Sequence, residues 1–206
     1  MRIGIIGAGK IGATLARLFA AAGHDVVIGN SRGADAVAGL VAEIGDRATA
    51  ATAADAARAG EVVFVAVPFG RHRDLPAAEL AGKIVVDAMN YYPSPDNHFP
   101  ELDDDSTSSS QLVAAALPGA RLVKAVNTIY FVHLTEHGTP PGTPGRRAIP
   151  IAGDDEEAKR VVAGLLDDIG FDTVDTGSLA DSRRIQPGTP VYNVRLTRDE
   201  VAAALA

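Results

Sequence analysis

The chain of 206 residues contains no cysteine. Disulfides, thiolate nucleophiles and cysteine-ligated metals are therefore excluded. It has no excess of positive charge either. The formal net charge of −7 argues against non-specific nucleic-acid binding, while local basic groups can still hold an anionic ligand. No stretch approaches the length of a membrane-spanning helix. The opening MRIGIIGAGKIG carries no apolar run of the signal-peptide kind before a strand pattern begins. These absences lead to the expectation of a cytoplasmic protein with neither a membrane nor a nucleic-acid partner. No Ser-His-Asp elbow, Walker loop or metal-ligand spacing stands out, so no metal is expected.

What is present is ordinary globular material. Hydrophobic residues make up 47% and charged residues 22%, and the length is enough to bury a substantial core. Short apolar runs at 3–6, 25–29, 62–67, 84–87, 122–126, 148–152 and 171–174 read as strands. Between them, helical periodicity appears at 10–22, 34–44, 52–58 and 74–81. Ser108 with Gln111 resembles a capping box that opens a helix to Leu117, and Thr197 with Glu200 opens a C-terminal one. Asp154 with Glu157 is expected to cap a helix running to Ile169. Residues 91–105 and 128–145 read as irregular loops. The alternation predicts an α/β protein with a Rossmann-type, doubly wound, mainly parallel sheet. A single domain is expected over 1–206, with 176–206 as a small C-terminal appendage packed back on the sheet. In that appendage Val191, Val194, Leu196, Val201 and Leu205 need a covering surface, in the same subunit or a second one. A homodimer is expected on that ground.

The segment Gly7-Ala8-Gly9-Lys10-Ile11-Gly12 matches G-x-G-x-x-G between a buried strand and an amphipathic helix, which is the context a dinucleotide-binding loop requires. Gly7 permits the tight turn. Gly9 lets the backbone approach a pyrophosphate, and Gly12 allows close packing. The helix N-terminus offers free N–H groups and a positive dipole end. After the second strand, where an NAD-binding protein usually has an acid, this chain has Asn30, Ser31 and Arg32. An acid would repel a 2′-phosphate, whereas Arg32 can pair with it and stack on adenine, and Ser31 adds a donor. NADP(H) is therefore expected rather than NAD(H).

Ligands of an open parallel sheet lie beyond the carboxyl ends of its strands. Val67 and Pro68 are expected to wall the cofactor. Ala88 and Asn90 follow the next strand, where Asn90 can bond the nicotinamide half or simply hold a turn with Asp87. Asn127, Tyr130 and His133 follow a further strand and are the candidate catalytic residues. Tyr130 can equally be a packing aromatic and His133 a satisfied surface group. Hydride transfer needs rings held face to face more than it needs acid–base groups. Three readings stay open: hydride transfer to a flat redox acceptor, reduction of a small imine or carbonyl, and a non-catalytic NADPH-binding sensor.

The chain resembles the NADPH-dependent coenzyme F420 reductases and their dinucleotide-binding relatives. The resemblance is carried by IGIIGAGKIGATLARLFAAAGHDVVIGNSRG, VVFVAVPF, VVDAMNYY, LVKAVNTIYF, PIAGDDEEAKRVVAGLLDDIGFDTVDTGSLADSRR and QPGTPVYNVRLT, which together span nearly the whole chain. It implies a single Rossmann-type domain with a small C-terminal portion, often dimeric. It further implies hydride transfer between NADP(H) and a small-molecule redox substrate such as the deazaflavin F420. Ser31 and Arg32 would hold the 2′-phosphate, and Gly7 to Gly12 the pyrophosphate. Residues after Pro68, Asn90 and Asn127 would line the nicotinamide and the acceptor.

Overall fold

The computed structural model describes residues 1–96 and 98–206. Eight strands form one sheet in the order β3-β2-β1-β4-β5-β6-β7-β8. Strands β1 (Arg2–Ile6), β2 (Asp25–Asn30), β3 (Ala48–Thr52), β4 (Val62–Val65), β5 (Ile84–Asp87) and β6 (Arg121–Lys124) are mutually parallel. Strand β7 (Ala148–Gly153) runs antiparallel to β6, and β8 (Asp172–Asp175) runs parallel to β7. The helices are α1 (Lys10–Ala21), α2 (Ala38–Ile44), α3 (Ala53–Ala59), α4 (Ala77–Leu80), α5 (Pro93–Asp96), α6 (Pro100–Asp103), α7 (Ser109–Ala116), α8 (Phe131–Glu136), α9 (Glu156–Asp168) and α10 (Arg198–Ala204). None is long and apolar enough among the described residues to cross a membrane.

The central strands are buried on both faces. All four residues of β4 and of β5 are inaccessible, which is why these segments read as unbroken apolar runs rather than alternating ones. On one face Ile5, Ile28, Phe64 and Val86 pack with Leu15 and Phe19 of α1 and Leu165 and Leu166 of α9. On the other, Val63, Val65 and Val85 pack with Ala56 and Ala57 of α3 and Val113 of α7.

Several sequence expectations need correction. Strand β3, Ala-Thr-Ala-Ala-Thr, was not expected, because alanine is a weak strand former and no large apolar residue marks it. It forms because it closes the sheet edge beside β2. The helix expected over 34–44 splits into a 3₁₀ turn and α2. The irregular region 128–145 contains α8. The region 91–105 holds two short helical turns, and Asn97 within it lies outside the described residues. The cap of α9 is Asp155, whose side chain accepts from the Ala158 N–H; Asp154 instead accepts from the Leu179 N–H at 2.9 Å. The capping boxes at Ser108 and Thr197 form as expected.

The demand for a covering surface on the C-terminal segment is met largely within the chain. Val191 and Val201 are buried with Ala148, Ala152 and Ile185, and Leu196 and Leu205 pack against that cluster.

Register aligns one row across the sheet: Gly29, Ile6, Val65, Asp87 and Lys124 are successive partners. The residues that follow each therefore emerge side by side at the carboxyl edge. Two of the row carry charge. Lys124 Nζ lies 3.1 Å from Asp87 Oδ2, and both side chains are fully buried. Lys124 also donates to the Met89 carbonyl, the Met89 N–H donates to Asp87 Oδ1 at 2.9 Å, and Ser110 Oγ donates to Asp87 Oδ2 at 2.7 Å. Burial pushes the lysine down from its ordinary range, and the Asp87 charge opposes that push. Replacing Lys124 by Met strands a buried carboxylate, which should cost about 3–5 kcal/mol. Urea unfolding should show that loss, and Asp87→Leu added to Lys124→Met should recover a large part of it. A single variant as stable as the parent would show that the pair carries no such constraint.

Candidate functional site

The loop after β1 has the geometry that its glycines require. Gly7 takes φ +102°, and a Cβ there would lie 2.4 Å from the Ala66 carbonyl oxygen. A Cβ on Gly12 would sit 1.8 Å from the Gly7 carbonyl oxygen. The close approach of Gly12 is thus mainly to the loop itself, with strand residue Ile5 the next neighbour. Gly9 differs: a Cβ there meets nothing within 4 Å. No side chain caps α1 at Gly9, and no acid stands in its first turn. Helices α3, α7, α9 and α10 each have a side-chain cap, whereas α2, α4, α6 and α8, all shorter than α1, lack one as α1 does. The N–H groups and dipole of α1 are left for an anion that can approach over Gly9.

One cavity of about 310 Å³ connects this loop to the neighbouring strand ends. It is lined by Gly9, Lys10 and Ile11, by Ala66, Val67 and Pro68 after β4, and by Ala88, Met89 and Asn90 after β5, with Tyr92 and Asp96. Ala8 packs beside the core under the loop. The Lys10 ammonium stands 4.9 Å from the Phe131 ring centroid, so α8 borders the loop. Asp96 fixes the cavity's outer loop: its carboxylate accepts from the Gly70 N–H at 3.0 Å and from the Tyr92 N–H at 3.1 Å.

At the end of β2 the Asn30 side chain accepts from the Arg32 N–H at 2.9 Å, closing an Asx turn. Asn30 is therefore the residue that shapes the turn, while Ser31 and Arg32 are exposed on it. Among the described residues Arg32 has no ion-pair partner.

The catalytic candidates separate. Asn127 is buried, and its amide donates to the Ile185 carbonyl at 2.6 Å and to Asn90 Oδ1 at 3.2 Å. Asn90 in turn donates to the Asn127 carbonyl at 2.8 Å. The two asparagines thus form a reciprocal pair that ties the loop after β5 to the loop after β6. Val126, just before, has φ +67°, a strained conformation for a β-branched residue, and this kink redirects the chain out of β6. Tyr130 stands exposed against Phe131. His133 does not line the cavity. Its ring stacks on His137 with centroids 4.5 Å apart, and its buried Nδ1 has no partner among the described residues.

Residues outside the sequence reading complete the mouth. Tyr192 Oη lies 2.5 Å from Tyr92 Oη and 3.5 Å from Asn90 Nδ2. The Asn193 N–H donates to the Thr128 carbonyl. Arg147 is buried, yet among the described residues it has no carboxylate partner. It donates to the Val194 carbonyl at 3.0 Å and to Thr128 at 3.5 Å, and lies 2.9 Å from His137 Nδ1. Burial, with Arg195 adding repulsion, pushes it down to about 10. The signals were a lysine inside the apolar run LVKAV, and the Arg-Arg pair at the start of β7.

The expectation that no metal-ligand spacing occurs also needs correction. His133, Glu136 and His137 bring ligand atoms within 4.8 Å of one another. The arginine beside this cluster opposes a cation. A metal-bound imidazole donates its other N–H to an acceptor, but His137 Nδ1 faces the Arg147 guanidinium, which can only donate. Burial and then Arg147 lower the His137 pKa, which leaves a neutral ring with its lone pair spent on the arginine.

Comparison with known proteins places this architecture. Residues 2–91 match the family described as NADP oxidoreductase, coenzyme F420-dependent. The hypothetical protein SMa0349 of Sinorhizobium meliloti is 35% identical, with 97% of this chain and 96% of that one covered and a TM-score of 0.83. Residues 2–91 thus carry the domain of the F420-dependent NADP oxidoreductase family. An Arthrobacter sp. FB24 protein proposed to be an F420-dependent NADP reductase is 27% identical, covering 96% of this chain and 100% of that one, with a TM-score of 0.79. Metalloreductase STEAP3 of Rattus norvegicus is 32% identical over 187 residues, 90% of this chain. The chain spans only 36% of that protein's length.

The two glycines should respond differently to substitution. Gly12→Ala drives a methyl into the loop carbonyl and should lower stability by about 2–3 kcal/mol. Gly9→Ala should melt like the parent yet bind NADPH at least about tenfold more weakly, because its methyl fills only the space left for the cofactor. Equal melting of both variants would contradict this division.

Proposed function

We propose that this chain binds NADP(H) and passes hydride between it and a planar redox acceptor of the F420 kind. The observation that carries the reading is the single cavity that joins the uncapped N-terminus of α1 to Asn90. A dinucleotide whose pyrophosphate rests over Gly9 directs its nicotinamide half toward Val67, Pro68, Ala88 and Asn90. Bound there, the cofactor supplies the hydride. The chain's own residues hold it: N–H groups of the Gly7–Gly12 segment on the phosphates, Ser31 and Arg32 on the 2′-phosphate, and Val67 and Pro68 against a flat ring.

The acceptor side is supported by the placement of exposed apolar surface. Tyr92, Tyr130 and Val194 are 42%, 47% and 45% exposed. The bonds Tyr92–Tyr192 and Asn193–Thr128 draw their segments together around the Asn90–Asn127 pair. Such a rim suits a flat ligand with polar edges. Reduction of an imine or carbonyl is the second reading, favoured by the two phenols at the mouth. Val194 could also belong to a homodimer contact, and light scattering at micromolar concentration would then give twice the chain mass.

Cofactor choice is directly measurable. Arg32→Ala should weaken NADPH binding roughly ten- to a hundredfold by removing charge-assisted bonds to the 2′-phosphate, while NADH binding changes little. Titration showing equal NADH and NADPH affinity in the parent would refute the assignment. Anaerobic NADPH oxidation with F420, FMN, quinones and cyclic imines tests the acceptor.

A further inference from the structure

Tyr92 lies in the loop after β5 and Tyr192 in the C-terminal segment, 100 residues later, and their phenol oxygens are 2.5 Å apart. Tyr92 lines the same cavity as Asn90, and Asn90 Nδ2 approaches Tyr192 Oη at 3.5 Å. Two phenols sharing one hydrogen bond have a fixed inventory. One proton lies between the oxygens, and the other O–H is uncommitted. Whichever way the shared bond points, the pair presents one free donor at the mouth. We propose that the Tyr92–Tyr192 pair is the proton donor of the acceptor site, and that the acceptor is a molecule whose hydride-accepting carbon is conjugated to a carbonyl oxygen or an imine-type nitrogen. The inference rests on the hydride-transfer reading above and specifies its substrate class.

The balance is simple. The acceptor carbon gains a C–H bond made with the hydrogen and electron pair given up by the reduced nicotinamide, which is oxidised. The π pair of the acceptor moves onto its oxygen or nitrogen. The free phenol O–H breaks, and its proton goes to that heteroatom. The resulting phenolate recovers a proton through the shared bond and from water. The groups around Tyr92 hold its proton more tightly. Partial desolvation of this half-exposed phenol is the largest cause of its raised pKa, followed by the Tyr192 bond and the neighbouring Asp96 charge, with Asn90 opposing. A phenol is protonated at neutral pH with or without this shift, so the pair enters the step as a donor, and its proton leaves only as negative charge builds up on the acceptor heteroatom.

The alternatives at the mouth serve less well. Asn127 Nδ2 is spent on Ile185 and Asn90. His133 lies off the cavity, stacked on His137. Tyr130 makes aromatic contacts with Phe131 and His133, and among the described residues its hydroxyl has no partner to relay a proton.

Two measurements test the pair. The chain has four tyrosines and no tryptophan, so alkaline titration at the phenolate absorbance band reads tyrosines alone. The difference between parent and Tyr92→Phe should isolate a phenol ionising above the ordinary tyrosine range, and Tyr192→Phe should bring that phenol back toward it. A Tyr92 that titrates normally in the parent overturns the pair. Steady-state NADPH oxidation is then followed with F420, a quinone and a cyclic imine, and with FMN, whose hydride-accepting atom is a nitrogen and whose turnover alone would overturn the proposed substrate class. Tyr92→Phe and Tyr192→Phe should each lower kcat about a hundredfold for an acceptor that the parent reduces. Acceptor KM and NADPH affinity should stay within about threefold. A purely structural tie between the loops would instead raise KM and spare kcat. A parent that turns over while both variants keep full kcat overturns the proton-donor role alone. A parent that binds NADPH and reduces none of the acceptors overturns the hydride-transfer reading and this inference with it.

Discussion

The carboxyl edge of the sheet is organised around one buried charge pair. Asp87 and Lys124 are register partners on adjacent parallel strands, and both side chains are fully buried. In so poor a solvent the pair must satisfy its own polar atoms. It does so by drawing in the Met89 N–H, the Met89 carbonyl and the Ser110 hydroxyl. An apolar pair of similar volume could serve stability as well, but it could not grip the Met89 peptide. That grip sets the exit direction of the chain from β5 and hence the position of Asn90. Asn90 then locks to Asn127 across the gap. The wall of the cavity is thereby held by a chain of polar contacts that begins in the core.

The reversal of β7 brings the rest of the mouth to the same edge. Had β7 run parallel to β6, its first residues would lie at the opposite end of the sheet. Running antiparallel, it starts near the loop after β6, and Arg147 reaches the Thr128 carbonyl. The Ala148 N–H also receives the returning C-terminal segment through the Leu196 carbonyl. Among the described residues Arg147 meets neutral acceptors alone, so its charge rests on carbonyl dipoles and one imidazole lone pair. Leaving a buried cation on such partners is costly. The arrangement persists because it ties the Thr128 loop, α8 and the C-terminal segment at one point.

What could be read from the sequence follows the range of the interaction concerned. The Gly7–Gly12 loop, the Ser108 and Thr197 capping boxes and the runs that became β1, β4 and β5 depend on residues a few positions apart, and each formed where expected. Strand β3 was hidden because Ala48–Thr52 carries no large side chain, and only its neighbour β2 makes it a strand. Helix α8 was hidden among the glycines and prolines that follow it. At the site, the order of strand ends predicted that Val67, Ala88, Asn90 and Asn127 would gather. It could not predict that Asn127 would turn its amide into the protein toward Ile185. Nor could spacing foretell that Tyr192 would meet Tyr92, or that Arg147 would occupy His137 and so weaken a cluster with metal-like spacing.

The same division by range bears on how the site works. The proposed phosphate-binding part of the cofactor site comes from one continuous stretch, β1 through the turn after β2, and its shape is set by backbone conformation at Gly7, Gly12 and Asn30. The proposed acceptor half comes from four distant segments joined by side-chain contacts: Tyr92 to Tyr192, Asn90 to Asn127, and Arg147 to Thr128 and Val194. Backbone-built geometry tolerates little change, since a single methyl at Gly12 collides with the loop. Side-chain geometry can be altered one residue at a time, because each tie is one or two hydrogen bonds worth about 1 kcal/mol apiece. Acceptor preference can therefore change through substitutions at residues 92, 130 and 192 to 194 while the nucleotide loop stays intact.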